Sequence, residues 1–186
     1  MSAINENPTV LEKWQLPTRK EHQDGSPEAY LREINQWCGQ YSLFAEDAAP
    51  NVLPYDEIDS QEVYDLISSI SDPEHPLTLG QLAVVGLDRI QVIGDVRENE
   101  IGEVKVLITP TITHCSLATL IGLGIRVRLE RCLPAKYRVK LQITPGTHQS
   151  ERQVNRQLND KERVAAACEN EQLIKVIEQM LSTCQA

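Results

Sequence analysis

The sequence predicts an α+β fold, a two-layer α/β sandwich in which a small mixed sheet carries its helices on one face. Three observations carry that reading. Lys136 to Ile143 alternates strictly, with Tyr137, Val139, Leu141 and Ile143 on one side and Lys136, Arg138, Lys140 and Gln142 on the other, as a half-buried strand must. Ile90 and Val92, then Val104, Val106 and Ile108, alternate on either side of an acidic turn at 94–102, the pattern of an antiparallel hairpin. Apolar residues recur at helical spacing before the hairpin, between hairpin and strand, and again at the end of the chain. The order helix, hairpin, helix, strand, helices buries its apolar faces most simply in two layers.

Composition narrows the class. The chain has 186 residues, 18 Lys+Arg against 27 Asp+Glu, a net charge of -9, five cysteines and few aromatics. A domain of about 130 residues can bury a core without staples. The odd cysteine count and the absence of an amino-terminal hydrophobic signal therefore point to free thiols in a reducing, intracellular setting. The longest largely apolar stretch, Leu117 to Ile125, falls far short of the ~20 residues that cross a bilayer. The acidic balance argues against sequence-independent duplex binding, which needs dense Lys and Arg.

Residues 1–55 hold half of the ten prolines and eight acids against four bases, and read as a largely disordered acidic extension. Within them Tyr30, Leu31, Ile34, Trp37 and Cys38 are spaced for a short amphipathic helix, either a transient turn of a frayed tail or a docking element. The domain proper is expected over 56–186. Its first helix is placed at 59–71, with Asp59 and Glu62 at the start and Asp72-Pro73 as the stop. After the stiff turn Asp72-Pro73-Glu74-His75-Pro76, Thr78 is positioned to cap a short helix ending near Gly86. The hairpin follows, and Thr109-Pro110-Thr111-Ile112-Thr113 ends its second strand.

Ser116 to Leu133 is apolar nearly all round and reads as a buried helix ended by Pro134, with Gly122 and Gly124 permitting close packing. Ser150 with Gln153 is placed to cap the next helix, and Asp160 with the Ala-rich Val164 to Cys168 continues helically. The last helix carries Leu173, Ile174, Val176, Ile177, Met180 and Leu181. Charge is bipolar: residues 56–103 hold twelve acids and two bases, whereas 126–163 hold ten bases and four acids. The two poles either neutralise each other across the fold or face partners of opposite sign.

His114-Cys115-Ser116 is the triplet with chemistry in it. It lies in a Thr/Pro loop that feeds a helix, so Cys115 falls at or just before a helix amino terminus, where unpaired N–H groups and the macrodipole favour a thiolate. Such a thiolate could attack a carbonyl, bind a soft metal or ligate an iron-sulfur cluster. A small buried cysteine plugging the helix start is the competing reading. Cysteines at 38, 115, 132, 168 and 184 form no C-x-x-C pair, which excludes a zinc ribbon and a self-sufficient four-cysteine cluster site. Cys132, Cys168 and Cys184 read as structural or incidental. Lys161, Glu162 and Arg163 read as a solvated helical face, and no phosphate-binding glycine motif follows a strand.

Four stretches carry a resemblance. Asp72 to Leu79 (DPEHPLTL), Thr109 to Leu123 (TPTITHCSLATLIGL), Gly146-Thr147-His148 and Asn155 to Ala167 (NRQLNDKERVAAA) are similar to the small subunit of the eukaryotic cytosolic iron-sulfur cluster targeting complex, in a fungal-like form. Its domain resembles that of the SufT and PaaD proteins and covers about residues 56–184. The resemblance implies an iron-sulfur assembly domain in a late-acting factor rather than an enzyme, located in the cytoplasm and also the nucleus. Its implied partners are a WD40-propeller subunit, a HEAT-repeat adaptor and client apo-proteins, many of them DNA polymerases, helicases and other genome-maintenance enzymes. It also implies that Cys115 is the reactive thiol, with His75, His114 and His148 beside it as candidate cluster or metal ligands; from the residues alone, any cluster or metal needs Cys115 plus histidine or carboxylate ligands, ligands from a second chain, or only a passing stay. In this sequence Thr113 stands where animal members usually have Pro.

Two other classes stay open from the residues themselves: a Cys-His hydrolase or acyltransferase using Cys115, with His148 followed by Glu151 or His75 beside Glu74 as base, and a purely scaffolding interaction module. A homodimer, with terminal helices exchanged between copies, is compatible with the element order.

Overall fold

In the computed structural model the alternating stretches pair as one three-stranded sheet, and the helical stripes pack on one of its faces. Residues 10–19, 58–94, 101–111 and 117–184 are described. Among them the elements run α1 (Ser60–Ser68), β1 (Ile90–Ile93), β2 (Gly102–Ile108), α2 (Leu117–Cys132), β3 (Tyr137–Ile143), α3 (Glu151–Asn159), α4 (Lys161–Glu169) and α5 (Glu171–Leu181). Strand order is β1-β2-β3, with β1 antiparallel to β2 and β2 parallel to β3, so the sheet is mixed and the expected α+β sandwich is realised. A parallel pair needs a crossover, and α2 provides it.

The strand alternation sorts the two faces. Val104, Val106 and Ile108 of β2, Leu141 and Ile143 of β3 and Ile90 of β1 are buried with Val63, Ile67, Ile125 and Leu129 of the helices. Each such fully buried Val, Leu or Ile contributes roughly 1.5–3 kcal/mol relative to exposure. The opposite face carries Gln91 and Ile93, Glu103, Lys105 and Leu107, and Arg138, Lys140 and Gln142, side by side in register.

Three local expectations are corrected. The first helix stops at Ser68 instead of 71 because the chain turns back and claims its carbonyls: Gly80 N–H donates to Ser68 O (3.0 Å), Leu79 N–H to Ile70 O (2.9 Å), and Ser71 pairs with Thr78. The short helix expected from Thr78 to Gly86 does not propagate. Thr78 Oγ1 does accept from Gln81 N–H at 3.3 Å, but Ala83 adopts φ 53°, outside helical space, and Val84 N–H returns to Leu79 O (3.0 Å). Ser150 occupies the cap position of α3 without a side-chain cap. Its carbonyl takes Gln153 and Val154 N–H, both at 3.0 Å, and its own N–H is spent on His148. Asp59 caps α1 as expected, accepting from Glu62 N–H, and two further caps divide the carboxyl-terminal helices: Asp160 accepts from Glu162 and Arg163 N–H, and Asn170 from Gln172 and Leu173 N–H.

Helix α2 is buried on most sides, with Ala118, Ile121, Leu123, Ile125, Val127 and Leu129 inside. Its glycines have the expected packing role. A Cβ on Gly122 would run into the side chain of Leu158 in α3, and one on Gly124 would come within 3.2 Å of Met180 Cε in α5. Removing the side chain at these two positions is what lets α3 and α5 approach the crossover helix.

The free edge of β3 is closed by side chains rather than by another strand. Leu141 N–H donates to Asn159 Oδ1 (3.2 Å), Asn159 Nδ2 donates to Leu141 O (2.7 Å), and Ile143 N–H donates to Asn155 Oδ1 (2.7 Å). Spaced four apart, the two asparagines lie one above the other on α3 and imitate the hydrogen bonds of a neighbouring strand. Val139 O is taken by Arg126 Nη1 (3.2 Å), which also donates to Leu158 O (2.9 Å), while Arg126 Nε donates to Glu130 Oε1 (2.8 Å).

Residues 10–17 fall inside the stretch expected to be largely disordered. They form a 3-10 turn at Lys13–Gln15 and attach to the domain through Leu11 N–H to Gln81 O (2.7 Å) and Gln61 Nε2 to Pro17 O (3.2 Å). The amphipathic element expected at 30–38 lies outside the described residues. Cys132 is exposed, Cys168 and Cys184 are half-buried, and all three are free thiols.

Asn159→Ala is expected to lower unfolding free energy by about 1–3 kcal/mol in denaturant titration, the usual cost of leaving partly buried backbone groups unpaired. A second expectation concerns Tyr64, whose hydroxyl is pushed up chiefly by burial, with Asp65 adding to the effect and Arg89 opposing it. A phenol raised in the folded state stays protonated where the unfolded chain ionises, so its contribution is complete below pH about 10 and is lost as pH rises through the raised value. Tyr64→Phe should therefore flatten the alkaline fall in stability measured by circular dichroism.

Candidate functional site

Parallel pairing of β2 with β3 puts the carboxyl ends of both strands at one edge of the sheet, where Ile108 stands opposite Ile143. Crevices beyond the carboxyl ends of parallel strands are where chains of this type bind ligands, because loops from two strands meet there without covering each other. The segment after β2 leads into α2. The loop after β3, residues 144–150, leads into α3. The strand ends are fastened: Thr144 N–H donates to Ile108 O (2.8 Å), and the hydroxyls of Thr109 and Thr144 are 2.8 Å apart. Cys115 and His114 lie outside the described residues. In sequence they precede Leu117, the first residue of α2, by two and three positions.

His148 sits in the loop after β3 and is buried. Thr144-Pro145-Gly146-Thr147 turns through a left-handed Gly146 (φ 79°), held by Thr147 Oγ1 donating to Thr144 O (2.7 Å) and by Gly146 N–H donating to Glu151 Oε2 (3.0 Å). The ring is oriented by its own backbone: Ser150 N–H donates to His148 Nδ1 at 3.1 Å. A nitrogen that accepts from an N–H carries no proton, so in the neutral ring the proton is on Nε2. His148 is thereby set up as a hydrogen-bond donor through Nε2, and ligating a metal through that nitrogen would require giving up the Ser150 contact.

His75 is prepared in the opposite sense. The turn 72–76 is organised by Asp72, whose Oδ1 accepts from Glu74 N–H (2.8 Å) and His75 N–H (3.0 Å) and lies 3.1 Å from His75 Nδ1. A carboxylate can only accept, so Nδ1 is the protonated nitrogen and Nε2 keeps its lone pair. A carboxylate behind an imidazole is the usual way in which a metal-ligating histidine is oriented. The ring is part-exposed and borders a cavity of about 480 Å³ lined also by Pro76 and by Val176, Gln179 and Met180 of α5. No residue of the 144–150 loop lines that cavity, so the structure gives the two histidines separate settings. Among the described residues no group of three His, Cys, Asp or Glu side chains is placed to hold a metal ion. No helix among them is long and apolar enough to cross a membrane.

Asp72 was legible in the sequence only as a helix stop. Its role toward His75 is signalled there by the D-x-x-H spacing, which an Asx turn folds into contact. At pH 8, long-range proton-nitrogen NMR spectra should show the ring proton on Nε2 in His148 and on Nδ1 in His75. The same tautomer in both rings would contradict these assignments.

Comparison with known proteins places this architecture. Residues 60–143 match the model of a family described as iron-sulfur cluster assembly protein. A Saccharomyces cerevisiae relative named MIP18 family protein YHR122W is 48% identical over 227 aligned positions, covering 98% of each chain. One from Schizosaccharomyces pombe, MIP18 family protein C144.16, is 52% identical over 97% of this chain and 96% of its own. A Mus musculus protein named Cytosolic iron-sulfur assembly component 2B is 57% identical over 127 residues, 68% of this chain and 75% of that one. With that family match and near full-length identity of this order, the chain belongs to the MIP18 family of iron-sulfur cluster assembly proteins.

Proposed function

We propose that this chain is a non-enzymatic component of the cytosolic machinery that passes iron-sulfur clusters to apo-proteins, and that Cys115 is the thiol through which it touches the cargo. The observation that carries the reading is the high identity to a protein named as a cytosolic iron-sulfur assembly component, across the domain that contains Cys115. The chemistry of the neighbourhood supports it. Leu117 opens a sixteen-residue helix two positions after Cys115, and the amino-terminal turn of such a helix favours a thiolate.

The step is a ligand exchange with no net redox change. The Cys115 thiol gives its proton to solvent, its sulfur forms a bond to an iron of a cluster presented by a donor protein, and the donor's ligand is released. The client's own thiolates then displace Cys115 in the same way. A site with one thiolate suits passage rather than storage, since stable clusters are held by about four such ligands. His75, with its Nε2 lone pair, is suited to lend a further ligand. His148, whose neutral ring carries its proton on Nε2, accompanies the thiol in this reading, and His114 adjoins it in sequence.

The complex proposed around it contains a WD40-propeller subunit and a HEAT-repeat adaptor, with client enzymes of DNA replication and repair among its acceptors, in cytoplasm and nucleus. Cys115→Ala in the full-length protein should leave its thermal melting and its co-purifying partners unchanged while lowering iron incorporation into client proteins at least several-fold in cells. Wild-type incorporation would overturn the proposal. Cys132→Ser and Cys168→Ser should leave incorporation within about two-fold of wild type, since side chains away from the site contribute little.

A further inference from the structure

Arg89 lies outside every residue considered so far for the site, yet its guanidinium joins the 83–89 turn to the end of β2 and, through Thr109, to the end of β3. It belongs to the 3-10 turn Leu87–Arg89 that precedes β1, and its side chain folds back rather than outward. Nη2 donates to Ala83 O at 3.0 Å, Nη1 donates to Thr109 Oγ1 in a short hydrogen bond, and Nε lies 3.6 Å from Asp88 Oδ1. Room for this fold-back is reserved by Gly86, where a Cβ would come within 2.7 Å of Arg89 Nη2 and 2.9 Å of Nε. Ala83, the residue whose carbonyl it holds, is the non-glycine residue with positive φ (53°) among the described residues, a conformation that persists only where surrounding bonds enforce it.

The contact continues past Thr109. An arginine only donates, so Thr109 Oγ1 accepts from it, and the same hydroxyl is hydrogen-bonded to Thr144 Oγ1, 2.8 Å away. Thr109 N–H is meanwhile tied to Val84 O (2.9 Å), and Thr144 O takes the Thr147 hydroxyl that holds the turn before His148. One guanidinium thus fixes the 83–89 turn to the end of β2, and through one hydroxyl to the end of β3. These two strand ends start the segments that carry Cys115 and His148 in sequence.

We propose that Arg89 is a positioning residue for cluster handling, acting through Thr109 and Thr144 to hold the ends of β2 and β3, from which the two site segments start, in fixed relation. This rests on the reading of Cys115 given above. The fork geometry matters: a lysine offers a point charge and cannot span Ala83 O and Thr109 Oγ1 together. The test compares Thr109→Val, which keeps the β-branched shape and loses the hydroxyl, with Thr109→Ser, which keeps the hydroxyl, alongside Arg89→Met. Each full-length variant is measured for client iron incorporation in cells and for the iodoacetamide alkylation rate of Cys115 at pH 7, resolved from the other cysteines by peptide mass spectrometry.

The expectation is a change of roughly five-fold or more in both readouts for Thr109→Val and Arg89→Met, since small misplacements of reacting groups can cost up to about 10²-fold. Thr109→Ser should stay within two-fold of wild type. A structural role alone would lower melting temperature in the three variants without separating Ser from Val in either readout, and that result overturns the inference. So do wild-type rates in Thr109→Val. Cys115→Ala measured in parallel separates the two claims: normal client maturation there defeats the reading of Cys115, whereas impaired maturation there with wild-type behaviour in Thr109→Val defeats only the role of Arg89.

Discussion

The parallel register between β2 and β3 is the constraint on which the rest depends. Two parallel neighbours cannot be joined by a turn, so the chain must cross over the sheet and return, and α2 is that crossover. The same register sets Ile108 beside Ile143 and sends the following segments out at one edge. Because the crossover starts there, the first turn of a buried sixteen-residue helix belongs to that end of the sheet. Placement of a helix start, a buried histidine and two hydroxyls at one end of the sheet is therefore a topological consequence, which the contacts of Thr109 and Thr144 then fasten.

A three-stranded sheet with β3 at its margin has an exposed ladder to protect, and the solution is made from α3. Asn155 and Asn159, four residues apart, supply donors and acceptors at strand spacing, while Arg126 reaches across from α2 to the next carbonyl. The arrangement welds α3 to β3 by polar bonds on one side and by Leu158 against Gly122 on the other. Since α3 begins directly after the His148 loop, fixing that helix also fixes the loop's far end. Edge protection and site geometry are in this way served by the same residues.

Much of this was legible beforehand where a periodicity carried it. The alternation at 136–143 and 104–108, the apolar run of α2 and the cap Asp59 all state their structure locally. What escaped was set by distant parts of the chain. The end of α1 is decided by amides of Leu79 and Gly80, the failed helix after Thr78 by the positive φ of Ala83, and the missing cap of Ser150 by its backbone at φ -96°, ψ 26°, outside the extended region usual for a capping residue. For the site, the histidines could be named from their motifs, but not their tautomers, because these follow from one partner each: Asp72 for His75 and Ser150 N–H for His148. Arg89 carries no sequence signal, since its three partners are 6, 20 and, through Thr109, 55 residues away.

The central claim is that this chain takes part in cluster transfer through a thiolate rather than as an inert spacer between partners. The most direct measurement mixes the full-length protein with a cluster-loaded donor under anaerobic conditions and follows sulfur-to-iron charge-transfer absorbance by stopped flow, before any client is added. A transient new band that is present in the wild type and absent in Cys115→Ala is the predicted result. Identical traces for the two proteins would contradict the account.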